Sequence, residues 1–273
     1  MKIFKLTSSL IKTAVFCLAL FVTSPVSAQI QVPVDIFPNF FGFGIGFMTE
    51  YAGSKDYVAG VAPGLRLSLP NNRFIEWYGS FADINLLPSA RWQLGPMVNY
   101  RFGRSDVSDP VVNKLPEIDG TFEAGVFGSY TYTNLQGIPW RLRIGLTALT
   151  NFGNVYTGVN AFGWGSFWFP VRKDIFIGLG TGAGGGSESF MNAYFGITPA
   201  GAAASGLDAY ATGAGFRSVY GYPMVIWQFH PSWAAGAGLI YQRLVGGAAD
   251  SPIVKERGSA DQWMGGVGLG YIW

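Results

Sequence analysis

Apolar and polar residues alternate with a period of two along much of the chain. Between residues 140 and 148 every even position is apolar, whereas the odd positions hold Arg141, Arg143, a glycine and a threonine. Because successive side chains of a β-strand point to opposite faces, this pattern predicts strands with one apolar and one polar face. The same alternation occurs in three further segments: 41–47, 91–102 and 121–132.

The pattern predicts eleven strands. Barrels of bacterial outer membranes have even strand numbers, so we expect twelve strands, with ten as the alternative. Within 73–87 the apolar phase switches, which indicates a bulge or a concealed turn near Gly79; a further strand at 31–36 is the other option. The predicted strands are 41–50, 58–69, 73–87, 91–102, 121–132, 140–149, 158–169, 175–186, 216–229, 232–245 and 262–273.

Composition separates a membrane barrel from a soluble β-sandwich, which also alternates. The chain is 49% hydrophobic, 16% aromatic and only 12% charged, whereas soluble domains carry about 25% charged residues. Several predicted strands are long enough for a tilted membrane strand. The last strand ends on the aromatic Trp273, which resembles the signal of outer-membrane barrel assembly. The sequence therefore predicts an all-β, antiparallel, up-and-down transmembrane barrel in the outer membrane of a Gram-negative bacterium.

The first 28 residues read as a cleaved signal peptide, which leaves 29–273 as a single barrel domain. Three lysines precede the apolar stretch 14–22, and Val26-Ser27-Ala28 has the small residues of a cleavage site. The apolar stretch is too short for a membrane anchor. Cys17, the only cysteine, lies in this leader.

Removing the leader also removes the basic excess of the chain. Three lysines and no acid are lost, so 15 basic residues face 16 acidic ones and the net charge becomes −1. Nucleic acid is therefore not an expected partner. The expected surroundings are outer-membrane lipid and lipopolysaccharide.

The C-terminal strand also predicts which loops face outside. With Trp273 at the periplasmic rim, long connections near 103–120, 187–215 and 246–261 become extracellular, and the connections 133–139 and 170–174 become short periplasmic turns. Long and short connections then alternate, as in known barrels.

The polar faces of the predicted strands carry several arginines opposed by few acids. These side chains fit an anion-selective pore, since charged rings bias conduction, or a lumen packed by ion pairs. Both interpretations stay open at this point. The predicted lumen-lining residues are Arg66, Arg91, Arg101, Glu123, Arg141, Arg143 and Arg243, with Arg217, Glu76 and Asp83 also on inward faces.

Catalytic chemistry finds little support in the sequence. His230 is the only histidine, and no cysteine remains after the leader. The chain therefore has few of the side chains that a nucleophile–histidine pair or a zinc site requires. The glycine-rich stretch 180–186 lacks the Gly-Lys-Ser/Thr ending of a phosphate loop. We therefore predict no catalytic, cofactor or metal site and no enzymatic activity.

Several strings resemble the MipA/OmpV family of outer-membrane proteins. They are 51–57 (Tyr-Ala-Gly-Ser-Lys-Asp-Tyr, where the family has an acid in place of Ala52), 83–104, 194–207 and 250–259. The resemblance spans nearly the whole chain after the leader. It implies a non-enzymatic scaffold for murein turnover, with a lytic transglycosylase and a penicillin-binding protein as partners. Other members are described as adhesins or porin-like proteins, so a narrow channel for small anionic solutes and a surface adhesin are the alternatives.

The longest loop is rich in aromatic residues. Loops on a rigid scaffold often carry binding sites, but these rings also fit packing against the barrel rim, and both interpretations stay open. The residues are Phe190, Tyr194, Phe195, Tyr210 and Phe216.

Overall fold

The computed structural model describes residues 37–273, so the predicted leader and the optional strand at 31–36 lie outside the described residues. Twelve antiparallel strands close into a barrel, as predicted. They are β1 (Phe40–Thr49), β2 (Tyr57–Leu69), β3 (Arg73–Tyr78), β4 (Phe81–Asn85), β5 (Trp92–Arg101), β6 (Thr121–Asn134), β7 (Trp140–Asn151), β8 (Asn160–Arg172), β9 (Ile175–Gly186), β10 (Gly215–His230), β11 (Trp233–Leu244) and β12 (Asp261–Ile272).

The predicted strand 73–87 is a short hairpin formed by β3 and β4. Gly79 takes a positive φ of 59° in the tight turn between them, a conformation that glycine adopts readily. The turn reverses the chain, which explains the switch of apolar phase. It also explains why eleven segments were visible in a barrel of twelve strands.

The outward face of the wall is apolar, and aromatic rings gather at its two ends. Side chains such as Phe43 and Leu146 project outward, and both are well exposed. Ring pairs at one end include Trp92–Tyr130 and Trp233–Tyr271, and those at the other include Tyr100–Phe122 and Tyr241–Trp263. This distribution is typical of a membrane barrel with two aromatic girdles.

The two ends of the barrel carry different connections. At the end that holds Trp273, called the turn end here, the connections are 70–72, 86–91, 135–139, 173–174 and 231–232. The six connections that point toward the opposite loop end are 50–56, 79–80, 102–120, 152–159, 187–214 and 245–260, and of these the tight turn 79–80 ends beside Pro63 of β2, within the wall.

Four short helices lie in the long connections at the loop end. They are α1 (Glu188–Phe195), α2 (Pro199–Ser205), α3 (Gly247–Asp250) and α4 (Pro252–Lys255), and a 3-10 turn covers Val112–Lys114. No helix of residues 37–273 is long and apolar enough to cross a membrane.

The buried apolar side chains of the described residues lie mainly in these connections. Two clusters, centred on Phe195 and on Ile253, draw residues from five of the six loop-end connections. The tight turn 79–80 is the exception. Together the clusters form a packed cap over the loop end of the barrel.

Candidate functional site: the lumen and its cap

An ion-pair network crosses the interior of the barrel. The carboxylate of Glu76 on β3 accepts hydrogen bonds from Arg66 on β2 and, at 3.0 Å, from Arg143 on β7. Strands β3 and β7 are not neighbours in the barrel, so the Arg143–Glu76 contact passes through the lumen. Asp83, which pairs with Glu76 across β3 and β4, points to the same side.

Aromatic rings surround the arginines of this network inside the lumen. The Arg143 guanidinium lies 5.1 Å from the ring of Trp164 and 5.3 Å from that of Phe74. Arg141 lies over the ring of Phe37, whose carbonyl accepts from Arg66 Nε at 3.3 Å. The segment leading into β1 therefore packs inside the barrel, and cation–π contacts supplement the ion pairs.

A second network lies closer to the cap. Glu123, which is fully buried, accepts from Arg101 Nε at 2.5 Å and from Asn99 Nδ2 and the Tyr156 hydroxyl at 2.8 Å. Arg101 also lies 5.0 Å from the ring of Phe190 on α1. The polar interior of the barrel is thus joined directly to the cap.

One aspartate ties three loop-end connections together. Asp109 accepts from Arg257 Nη2 at 2.8 Å and lies 3.9 Å from Lys55 Nζ. Burial alone would raise the pKa of the Asp109 carboxyl, but hydrogen bonds from Arg257 and from the Val112 and Val111 amides lower it below its usual value. This ion pair fixes the connections 50–56 and 245–260 to 102–120.

The strings that resemble the MipA/OmpV family meet in this cap. The Ser259 amide donates to the Gly53 carbonyl at 2.9 Å, and Ser251 Oγ donates to the Phe195 carbonyl at 2.6 Å. Burial raises the pKa of Tyr194 to about 12. Most of the resemblance at the loop end is therefore carried by residues that hold the cap together.

The opposite side of the lumen is lined by glycine. On β9, neighbouring aromatic rings cover the glycines: the position of a Cβ on Gly180 would lie 2.1 Å from the Tyr222 ring. On β1 and β12, Cβ positions at Gly44 and Gly268 would meet only backbone atoms of the adjoining strands. The middle of the wall formed by β1, β12 and β11 is therefore nearly bare, and it faces Arg141 and Arg143 of β7 across the lumen.

Five of the predicted lumen-lining side chains lie in the interior, in or beside the two networks: Arg66, Arg101, Glu123, Arg141 and Arg143. Arg217 also points inward and lies over the Phe190 ring at 5.4 Å. Arg91 is exposed at the turn end, one residue before β5.

The prediction for Arg243 is wrong. Its side chain lies on the outer surface and pairs with Asp261 at 2.6 Å. Trp233, Leu239 and Tyr241 of the same strand lie on the outer face, and strand alternation places Arg243 there as well. The apolar residues of β11 therefore already carried the signal that the prediction for Arg243 missed.

Two members of the networks were not among the predicted lumen-lining residues. Asn99 was visible on the polar face of its strand, so its period-two position was an available signal. Tyr156 lies in the connection 152–159, where no period exists, and nothing in the sequence pointed to its contact with Glu123.

The loop aromatics mostly pack rather than project. Phe190, Tyr194 and Phe195 are buried in the cap. Tyr210 is partly buried and donates to the Gly247 carbonyl at 2.9 Å, whereas Phe216 is 72% exposed on the outer face. Packing against the rim is therefore the better interpretation for most of them.

Residues 37–273 contain no group of three or more histidine, cysteine, aspartate or glutamate side chains that could hold a metal ion. His230 is exposed at the turn end, where its Nδ1 accepts from the Ser232 amide at 3.2 Å.

The closed twelve-stranded wall, its apolar belt and its polar interior define an outer-membrane β-barrel protein. A family model described as "MltA-interacting protein MipA" matches residues 41–273, and the chain belongs to this family. The protein is accordingly an outer-membrane protein.

A solved outer-membrane channel shares this fold at low identity. An outer membrane channel from Pseudomonas putida F1 is 12% identical with a TM-score of 0.51, and the match covers 92% of this chain and 100% of that chain. The NanC porin is 8% identical with a TM-score of 0.47, covering 86% and 100%. The KdgM porin is 8% identical with a TM-score of 0.42, covering 85% and 99%. No curated protein sequence matches the chain.

Proposed function

We propose that this chain is a non-enzymatic outer-membrane scaffold that binds a murein-degrading lytic transglycosylase and, through it, a penicillin-binding protein. The observation that carries the proposal is membership of a family described by its interaction with MltA. Barrels of this class carry short turns on the periplasmic side and long loops outside, and this rule supports a periplasmic turn end, the side on which such enzymes act.

The cap and the ion-pair networks support a scaffold because they occupy the lumen rather than leave it wide. What the barrel then offers to the periplasm is its turn end. There the connection 135–139 presents Leu135, 61% exposed, and Ile138, 72% exposed. Asn134 Nδ2 donates to the Gln136 carbonyl at 2.9 Å and fixes the shape of this turn. Exposed apolar side chains on a fixed turn fit a binding site for a partner protein.

The test is direct binding between the purified barrel in detergent micelles and a purified lytic transglycosylase of the same bacterium. We expect saturable binding at moderate salt that weakens about tenfold or more in a Leu135→Ser, Ile138→Ser double variant. Leu86→Ser, in another turn-end connection, is the matched control and retains binding. Absence of binding by the unmodified barrel contradicts the proposal.

A narrow channel for small anions is the second candidate, favoured by the bare glycine wall opposite the arginines. Inward side chains of the strands include five arginines (Arg66, Arg101, Arg141, Arg143, Arg217) against three carboxylates (Glu76, Asp83, Glu123). Planar-bilayer recording tests this: a channel gives unit conductance whose anion preference falls in Arg143→Gln. An electrically silent barrel contradicts it.

A further inference from the structure

The wall of the barrel is incomplete beside the β3–β4 hairpin. Residues Tyr57–Arg66 of strand β2 pair with the whole length of β1, but β2 pairs with β3 only from Gly64 to Leu69. The last hydrogen bond on the hairpin side runs from the Gly79 amide to the Pro63 carbonyl at 2.9 Å. Beyond it, residues 57–62 of β2 have no strand partner on that side within the described part of the chain.

The exposure of the side chains marks the same opening independently. Residues 59–62 are all exposed, although two of them face the lumen and two face outward. Val61 is 77% exposed, and no heavy atom lies within 4 Å of the Cβ position on Gly60. Trp77 and Tyr78, consecutive residues at the tip of the hairpin, are both exposed as well. Both faces are open only where the wall has a gap beside them.

A bridge of loop contacts closes the opening at the top. The Ser108 amide donates to Glu50 Oε2 at 2.9 Å, and Asp109 lies 3.9 Å from Lys55. The connection 102–120 thereby reaches over the hairpin to the connection 50–56. The gap is therefore a window with the hairpin below it and this bridge above it, and not an open slot.

The window lies within the apolar belt. The ring of Tyr57, just above it on β2, contacts the ring of Phe47 at 5.8 Å, and Tyr100 and Phe102 form the girdle on its other side. The window therefore opens into the membrane below the loop-end girdle. With the turn end facing the periplasm, this depth is that of the outer leaflet.

Free backbone groups at this depth require a polar partner. Backbone groups of alternate residues point to the same side of a strand, so Ala59 and Val61 direct theirs into the window, as Pro63 does. Among residues 37–273 these groups have no hydrogen-bond partner. An unsatisfied backbone group in hydrocarbon costs several kcal/mol, so water or a ligand headgroup must reach them.

We propose that this window is a lateral portal through which an anionic phospholipid of the outer leaflet places its headgroup in the lumen. Small side chains at 59–62 leave room along β2, and Trp77 on the outward face of the hairpin offers aromatic surface to an acyl chain. Inside the lumen, the surplus of inward arginines favours an anionic headgroup. Arg141 Nε and Arg217 Nε are buried without a hydrogen-bond partner among the described residues.

A second copy of the chain fits the edge less well. The free edge of β2 covers only six residues, 57–62, whereas the pairings within the wall mostly extend over eight or more residues. The hairpin below and the bridge above also limit the length of strand that could be added. A strand pairing this short is weak.

Photocrosslinking from the lumen face tests the portal. A benzoylphenylalanine at Gly60 points into the lumen beside the window, and one at Gly236 of β11 points into the lumen beside a sealed wall. The probes are vesicles of phosphatidylglycerol or of phosphatidylcholine, with adducts identified by mass spectrometry. We expect about tenfold more phosphatidylglycerol adduct at Gly60 than at Gly236, and a lower yield with phosphatidylcholine.

Several outcomes overturn the proposal: equal lipid yields at the two positions, a cross-linked dimer, a cross-link to residues 29–36, or a lipid A adduct in cells in place of a phospholipid. Heat-dependent mobility on gels confirms that both variants fold. The portal does not depend on binding to a murein enzyme. That binding is measured in detergent without the crosslinking residues, so either proposal can fail while the other holds.

Discussion

The interior of the barrel and the cap above it are held together by different interactions. The interior depends on carboxylates enclosed by arginines, as Glu76 and Glu123 are. The cap depends on apolar side chains such as Phe195 and Ile253, both fully buried. The apolar surface of a membrane barrel faces lipid and leaves polar side chains for the inside. Among the described residues, the hydrophobic clusters typical of a soluble domain therefore lie mainly in the loop-end connections.

This difference predicts that the two regions fail in different ways. A missing ionic partner inside the barrel leaves a buried charge uncompensated, which is costly. A cavity in the cap loses packing but leaves the hydrogen-bonded wall intact. Mutations in the two regions should therefore separate unfolding of the barrel from opening of the cap.

The largest effect is expected from Glu123→Ala. The substitution removes the acceptor for Arg101, Asn99 and Tyr156 and leaves the Arg101 guanidinium buried without a counter-charge. We expect a loss of about 3–5 kcal/mol in the free energy of unfolding, measured by urea titration in micelles with tryptophan fluorescence.

Asp261→Asn is the matched control because it also removes one carboxylate from an arginine, in the exposed Arg243–Asp261 pair. Exposed ion pairs contribute little, so its unfolding midpoint should stay unchanged. Equal destabilisation by the two substitutions would show that the interior network stabilises the barrel no more than an exposed ion pair does.

A smaller and local effect is expected from Ile253→Ala in the cap. Loss of this fully buried side chain should destabilise the cap by about 3 kcal/mol, while the barrel stays folded. Limited proteolysis should then cut the connections 187–214 and 245–260 faster, with heat-dependent gel mobility unchanged. Loss of the folded gel form would contradict the separation of cap and wall.

The Asp109 ion pair makes the cap sensitive to acid. Because the folded pKa of Asp109 is below its usual value, its contribution is complete above the unfolded pKa of about 3.9 and is lost as pH falls through the folded pKa. Arg257→Gln should remove most of this dependence, at a cost of about 1–2 kcal/mol. Hydrogen exchange of the α4 amides from pH 6 down to about 3, corrected for intrinsic rates, measures it. A pH profile unchanged by Arg257→Gln would contradict this role.

The wall could be predicted from the sequence because lipid imposes a period of two on it. Even the hairpin left a trace, as the change of phase near Gly79. The cap could not be predicted in the same way, because its residues come from five connections without a period and meet only after the wall has closed. Tyr156 shows the consequence: it lies in the connection 152–159, and its hydrogen bond to Glu123 brings together residues that no period relates.

The smallest effect concerns the hairpin that interrupts the wall. Gly79→Ala places a side chain at a φ of 59°, where the new Cβ lies 3.9 Å from the Ala62 Cβ and meets no clash. Only backbone strain of about 1 kcal/mol remains. Gly60→Ala, across the window, has an ordinary φ and open space around the new Cβ, so it should cost nothing measurable. Urea titration of the two variants compares them directly. A larger loss of stability for Gly60→Ala than for Gly79→Ala would mean that the protein itself fills the window. The free edge of β2 would then be packed rather than open.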